Sequence, residues 1–157
     1  MRKRIVGEHV PQRPASDRGW LNLDMLAQVE VTSEDAAHPI ESGLLPERGS
    51  GWQAAQSGPQ TVRLLFDSPQ RINRVYLEFH EDELQRTQQF VLRWSSNGGE
   101  SYREIVRQQF NFSPPGTTRQ REDYTVDLEG ATTLELSIVP DISGGTARAS
   151  LAQLRLA

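Results

Sequence analysis

Apolar and polar residues alternate along most of this chain. Phe90, Leu92 and Trp94 interleave with Val91, Arg93 and Ser95, the period-two signature of a strand with unlike faces. Asn97, Gly98 and Gly99 follow, residues that reach positive φ cheaply and so suit a tight hairpin. A second β-rich run, Tyr102 to Phe110, leads back out. The same period recurs at Val29 and Val31, at Val62, Leu64 and Phe66, and at Val75, Leu77 and Phe79. It returns at Tyr124, Val126 and Leu128, and again at Leu134, Leu136 and Ile138, before Leu151, Leu154 and Leu156 close the chain. Asp67–Gln70 and Glu129–Ala131 are predicted turns between separate strands. No stretch supports a helix longer than a turn or two. About eight strands without long helices predict an all-β fold, an antiparallel β-sandwich of jelly-roll type.

The connections carry a second pattern. Antiparallel strands send alternate connections to opposite ends. Ser33–Pro59, Glu81–Arg86, Asn111–Arg121 and Pro140–Ala147 are mostly long, whereas Asp67–Gln70, Ser96–Ser101 and Glu129–Ala131 are all short. Ser33–Pro59 holds too many Gly and Pro residues for a long element, and Pro114-Pro115-Gly116 breaks the third connection. The long loops therefore gather at one end, the default binding surface of a rigid sandwich. Residues 1–24, with Arg2, Lys3, Arg4, Arg13 and Arg18, read as an amino-terminal arm, and 25–157 as one domain.

Composition narrows the field. A hydrophobic share of 36% and a charged share of 24% suit a soluble globular domain. A net charge of −4 argues against nucleic acid as partner. There is no cysteine, so neither a disulfide nor a thiolate metal site can form. The amino terminus lacks the apolar run of a signal peptide, and no stretch reaches the roughly 20 apolar residues of a membrane span. The expected location is cytoplasmic.

No pattern singles out a nucleophile with a base, or a paired-carboxylate site, so no catalytic residue and no enzyme activity are expected. Ser95 to Tyr102 fits a relaxed Asp-box, but a single copy reads as a hairpin turn. His80-Glu81-Asp82-Glu83 offers metal-ligand types whose adjacent side chains point apart, which predicts a solvated loop and no metal site. His38 precedes a proline and reads as local packing. Trp52 and Trp94 read as core. Phe110 and Phe112, flanking Asn111 beside the Pro-Pro-Gly loop, are the expected candidates for an exposed aromatic contact. Arg86, Arg119 and Arg121 could add bidentate contacts to a carboxylate or phosphate. Phe112 and these three arginines form the expected ligand-binding set.

The run from Pro39 to Leu44 leading to Trp52, the spacing of Ile72, Val75, Leu77 and Phe79, the Ser96-Asn97-Gly98-Gly99 turn and the closing Ala149–Leu156 together resemble the discoidin, or coagulation factor 5/8 type C, superfamily. The resemblance covers roughly residues 27–156 and implies the galactose-binding-like jelly roll. The run from Ser33 through Ala55 is also similar to the amino-terminal domain of the X-ray repair cross-complementing scaffold protein. Calcium-binding relatives carry an Asp in the loop before the Trp and a Glu in the last strand. Here that loop has no Asp and Gln153 stands for the Glu, so the resemblance implies a degraded calcium site and no cofactor. The expected function is a non-catalytic module engaging a protein partner through the long loops. A carbohydrate-binding module is the alternative, and nucleic-acid end recognition the weaker one.

Overall fold

The computed structural model describes residues 19–45 and 49–157. Of the predicted arm, residues 1–18 lie outside the described residues. Its last part lies on the domain: the Leu21 N–H donates to the Leu156 carbonyl at 2.7 Å, and Trp20 packs on Tyr76 with ring centroids 6.5 Å apart.

Eight strands and two single-turn helices are described. They run α1 (Leu23–Leu26), β1 (Ala27–Val31), α2 (Glu41–Leu44), β2 (Trp52–Ser57), β3 (Gln60–His80), β4 (Arg86–Ser95), β5 (Arg103–Phe112), β6 (Arg119–Val139), β7 (Arg148–Leu151) and β8 (Gln153–Leu156). The main sheet has the order β1-β3-β6-β4-β5, β8 pairs with the second half of β3 on the edge away from β6, and β2 pairs with β7 apart from them. Every named strand pair is antiparallel.

Two predicted turns are not turns. The segments around Asp67–Gln70 and Glu129–Ala131 continue as strand, so β3 and β6 are each 21 residues long. They pair with each other on both sides of the bend, Gln60↔Ile138 to Leu65↔Thr133 and Arg74↔Thr125 to His80↔Arg119, with register shifts between. Such irregularities bend a ladder and increase its twist. The paired ribbon thus folds over itself, giving its first half to a layer with β1, β4 and β5 and its second to a layer with β8. Phe79 and Phe90 meet across the layers with centroids 5.4 Å apart. The predicted alternation supplies the filling: Val62, Leu64, Val75, Leu77, Phe79, Phe90, Leu92, Leu136 and Ile138 are all buried.

The long connection from Ser33 is broken by β2, which its weak pattern concealed. Ala54 is fully buried beside Trp52, but a methyl group marks a strand face poorly. Two glycines close this segment onto β7. A Cβ on Gly43 would lie 2.9 Å from the Leu151 carbonyl oxygen, and one on Gly51 would lie 3.0 Å from it. Gly51 also has φ +78°, a region that costs L-residues roughly 1–2 kcal/mol. Gly51→Ala should therefore lower the melting temperature by about 4–8 °C, taking roughly 2 kcal/mol in all. A shift below 1 °C in a thermal melt would show that the loop closes without it.

Candidate functional site

The four long connections do gather at one end. The Glu81 N–H donates to the Thr118 carbonyl at 2.8 Å, the Ile142 N–H to Thr87 at 2.9 Å, and Arg86 Nη1 to Pro140 at 2.7 Å. The opposite end holds the β4–β5 hairpin. There Asn97 Oδ1 accepts from Ser95 Oγ and from the Ser101 N–H, and the Gly98 N–H donates to Thr132 Oγ1. The single Asp-box-like motif is that turn.

Segment 81–86 divides the loop end into two hollows. The first, about 570 Å³, lies above the β2–β7 pair, and its lining includes His38, Trp52, His80, Leu84, Arg148 and Ser150. Trp52 supports it from below: the indole is 1% exposed, and its Nε1–H donates to the Ser33 carbonyl at 3.0 Å. His38 closes a turn laced onto β2. Asp35 N–H donates to Gln53, and Gln53 N–H donates to His38. His38 Nδ1 lies 2.9 Å from Asp35 Oδ2, a hydrogen bond that holds the Asp35 carboxyl below the usual range.

His80 stands on the outer face of β3, with Nε2 2.8 Å from Glu78 Oε2. Burial pushes Glu78 up, but hydrogen bonds from Tyr76, His80 and Arg121 outweigh it and leave its carboxyl below the ordinary range. Ionised carboxylates only accept, so His38 Nδ1 and His80 Nε2 are the donors in these pairs. The remaining ring nitrogens, His38 Nε2 and His80 Nδ1, have no partner among the described residues. Arg148, an exposed side chain at the start of β7, makes no side-chain hydrogen bond among the described residues, and its charge helps to lower the Asp35 carboxyl. The first hollow thus offers two oriented imidazoles, an exposed guanidinium and, in Leu84, an aliphatic side chain 45% exposed. That set suits a hydroxyl-rich ligand with an apolar face.

The second hollow, about 550 Å³, lies on the other side of the segment and includes Thr87, Asn111, Phe112, Asp141 and Ser143 in its lining. Its base is Arg86, whose side chain is 1% exposed. Nε donates to Glu81 Oε1 at 2.6 Å, Nη1 to Gln88 Oε1 and the Pro140 carbonyl, and the guanidinium lies 4.7 Å over the Phe112 ring.

The expected ligand-binding set therefore divides. Phe112 is fully buried rather than exposed. β5 runs two residues beyond the predicted strand end at Phe110, and Phe112 keeps that residue's inward parity, packing edge-on to it at 5.0 Å. Arg86 is likewise committed to its own fold, at the inward parity of Phe90 and Leu92. Arg119 and Arg121 lie on the outer face of β6, opposite His80 and Glu78, and line neither hollow. Arg121 donates to Glu78 at 3.0 Å, whereas Arg119 is exposed. Nothing in the local sequence singles out His38, His80 or Arg148 as site residues. The strongest signal for them was indirect, the alternation of long and short connections. No group of three or more His, Cys, Asp or Glu that could hold a metal lies among the described residues.

No family model matches the sequence, and no curated protein matches it. Solved structures do match in fold. The family 32 carbohydrate-binding module of Clostridium perfringens NanJ, in complex with galactose, is 12% identical with a TM-score of 0.66, over 88% of this chain and 97% of that one. A second Clostridium perfringens family 32 module, in complex with glcNAc-alpha-1,4-galactose, gives 15% and 0.62 over 87% and 93%. A pectin-binding carbohydrate-binding module gives 16% and 0.61 over 84% and 90%. The architecture is that of a galactose-binding-like, discoidin-like jelly roll.

Proposed function

We propose that this domain is a non-catalytic carbohydrate-binding module and that a sugar seats in the first hollow. The observation behind this reading is the convergence of His38, His80, the exposed Arg148 guanidinium and Leu84 in one concavity at the loop end. Hollows of this kind, with a few placed polar groups, are where small ligands bind. The carbohydrate complexes of the fold neighbours point the same way. In this reading Arg148 donates to ring hydroxyls, the two imidazoles exchange hydrogen bonds with others, and Leu84 packs on the C–H face of the sugar.

The protein-partner expectation keeps one observation in its favour. Leu84 and Ile142, the large hydrophobics left exposed among the described residues, both lie at this end. Nucleic-acid end recognition has less behind it. Beyond the net charge, Arg63, Arg71, Arg74, Arg93, Arg107 and Arg121 are each ion-paired within the fold.

A thermal-shift screen with galactose, N-acetylglucosamine, galacturonate and mannuronate tests the reading. A sugar at about 100 times its dissociation constant should stabilise by roughly 2.7 kcal/mol, or about 5–11 °C. Arg148→Ala should weaken that sugar about tenfold, roughly 1.4 kcal/mol. Silence across the panel would leave the protein partner in front. A shift indifferent to both Arg148→Ala and His80→Ala would remove the sugar from this hollow.

A further inference from the structure

The second hollow has the makings of a binding site in its own right. A buried guanidinium forms its base, and two of the three Arg86 nitrogens are accounted for: Nε by Glu81, and Nη1 by Gln88 and Pro140. Nη2 has no hydrogen-bond partner among the described residues, and Arg86 lines the hollow with a side chain that is 1% exposed. Around it stand Asn111, Thr87 and Ser143, with Thr87 Oγ1 bonded to Asn111 Oδ1 at 2.6 Å, so that the Asn111 amide nitrogen keeps its donors.

Charge selects among ligands. The Arg86 charge is already matched by Glu81, and Asp141 faces the same space. Hydrogen bonds from Ser143 keep the Asp141 carboxyl below its usual range, so it is ionised at neutral pH. A free anion would meet that carboxylate, whereas neutral hydroxyls would find both donors and acceptors. The two hollows are next to each other: Leu84 lines one and Gln85 the other, and consecutive Cα atoms are only about 3.8 Å apart.

We infer that the second hollow is a further sugar subsite, so that the preferred ligand is an oligosaccharide lying across segment 81–86 rather than a single sugar. The inference rests on the carbohydrate reading of the first hollow. Calorimetric titration of the full chain tests it, with galactose, N-acetylglucosamine and N-acetylgalactosamine set against GlcNAc-α-1,4-galactose and GalNAc-β-1,3-galactose. An oligosaccharide should bind at least tenfold more tightly than either of its component sugars. N111A/S143A should abolish that gain and leave monosaccharide affinity unchanged, while Arg148→Ala weakens both. Equal affinity for single and linked sugars overturns the inference, as does an oligosaccharide indifferent to the double variant. Either result leaves the first hollow standing as a monosaccharide site. Failure of every sugar to bind overturns both readings together.

Discussion

Arg86→Ala lowers the melting temperature by about 6–12 °C, the expected result of removing roughly 3 kcal/mol from a domain of this size. The magnitude follows from what is left behind. Glu81, only 15% exposed at its side chain, loses its cation, and the Pro140 carbonyl and Gln88 lose a donor inside the fold. Removing one member of a buried pair costs more than the pair contributes, because the other charge stays desolvated. Acid should act through the same contact. Burial pushes the Glu81 carboxyl up, but the Glu83 N–H, Arg86 and the Leu84 N–H outweigh it and hold it below the ordinary range. A depressed carboxylate contributes stability above its unfolded value, about 4.3, and loses it as pH falls through the folded value. Wild-type stability should decline below about pH 4.3, and Arg86→Ala should flatten that decline. Melts from pH 7 to 3 check both. An Arg86→Ala protein within 2 °C of wild type at pH 7 would mean that the pair is dispensable.

Trp52→Ala should cost about 4 kcal/mol, or about 8–16 °C. The indole is among the largest fully buried side chains and supports the first hollow from beneath. Its Nε1–H also satisfies the Ser33 carbonyl, tying the start of the long loop to β2. Trp52→Phe separates the two contributions, since it keeps most of the volume and loses the donor. A loss of roughly 1 kcal/mol is expected there. If the phenylalanine variant melts as low as the alanine one, the hydrogen bond matters more than the packing.

The sheets were legible in the sequence because burial on one face forces a period of two. Val75, Leu77 and Phe79, or Leu134, Leu136 and Ile138, leave little choice of side. The same parity also placed Arg86 and Gln88 inward with Phe90, and Phe112 inward with Phe110. Residue type and a proline-rich neighbour point Arg86 and Phe112 outward, but parity makes both of them supports. The bends in β3 and β6 were hidden for another reason. A proline and a glycine fit a bulge as well as a turn, and only the partner strand distinguishes them. The first hollow was illegible residue by residue. His38, His80 and Arg148 are far apart in the chain, and each has an ordinary local environment. Only topology brings them together, and the loop-length pattern reported the end of the sandwich without naming the side chains.

The ribbon of β3 and β6 also governs how this chain can assemble. Each strand serves both layers, so neither layer is a unit that can form first and wait for the other. Gln60 must find Ile138, while His80 must find Arg119. A chain growing from its amino terminus has the β4–β5 hairpin early, yet closes neither layer until residue 139 has emerged. Long-range pairing of this kind makes folding slow and leaves strand edges open in the interval. The native domain gains from the same arrangement. Fraying that begins in one layer passes along the same two strands into the other, so the walls around the two hollows share their support.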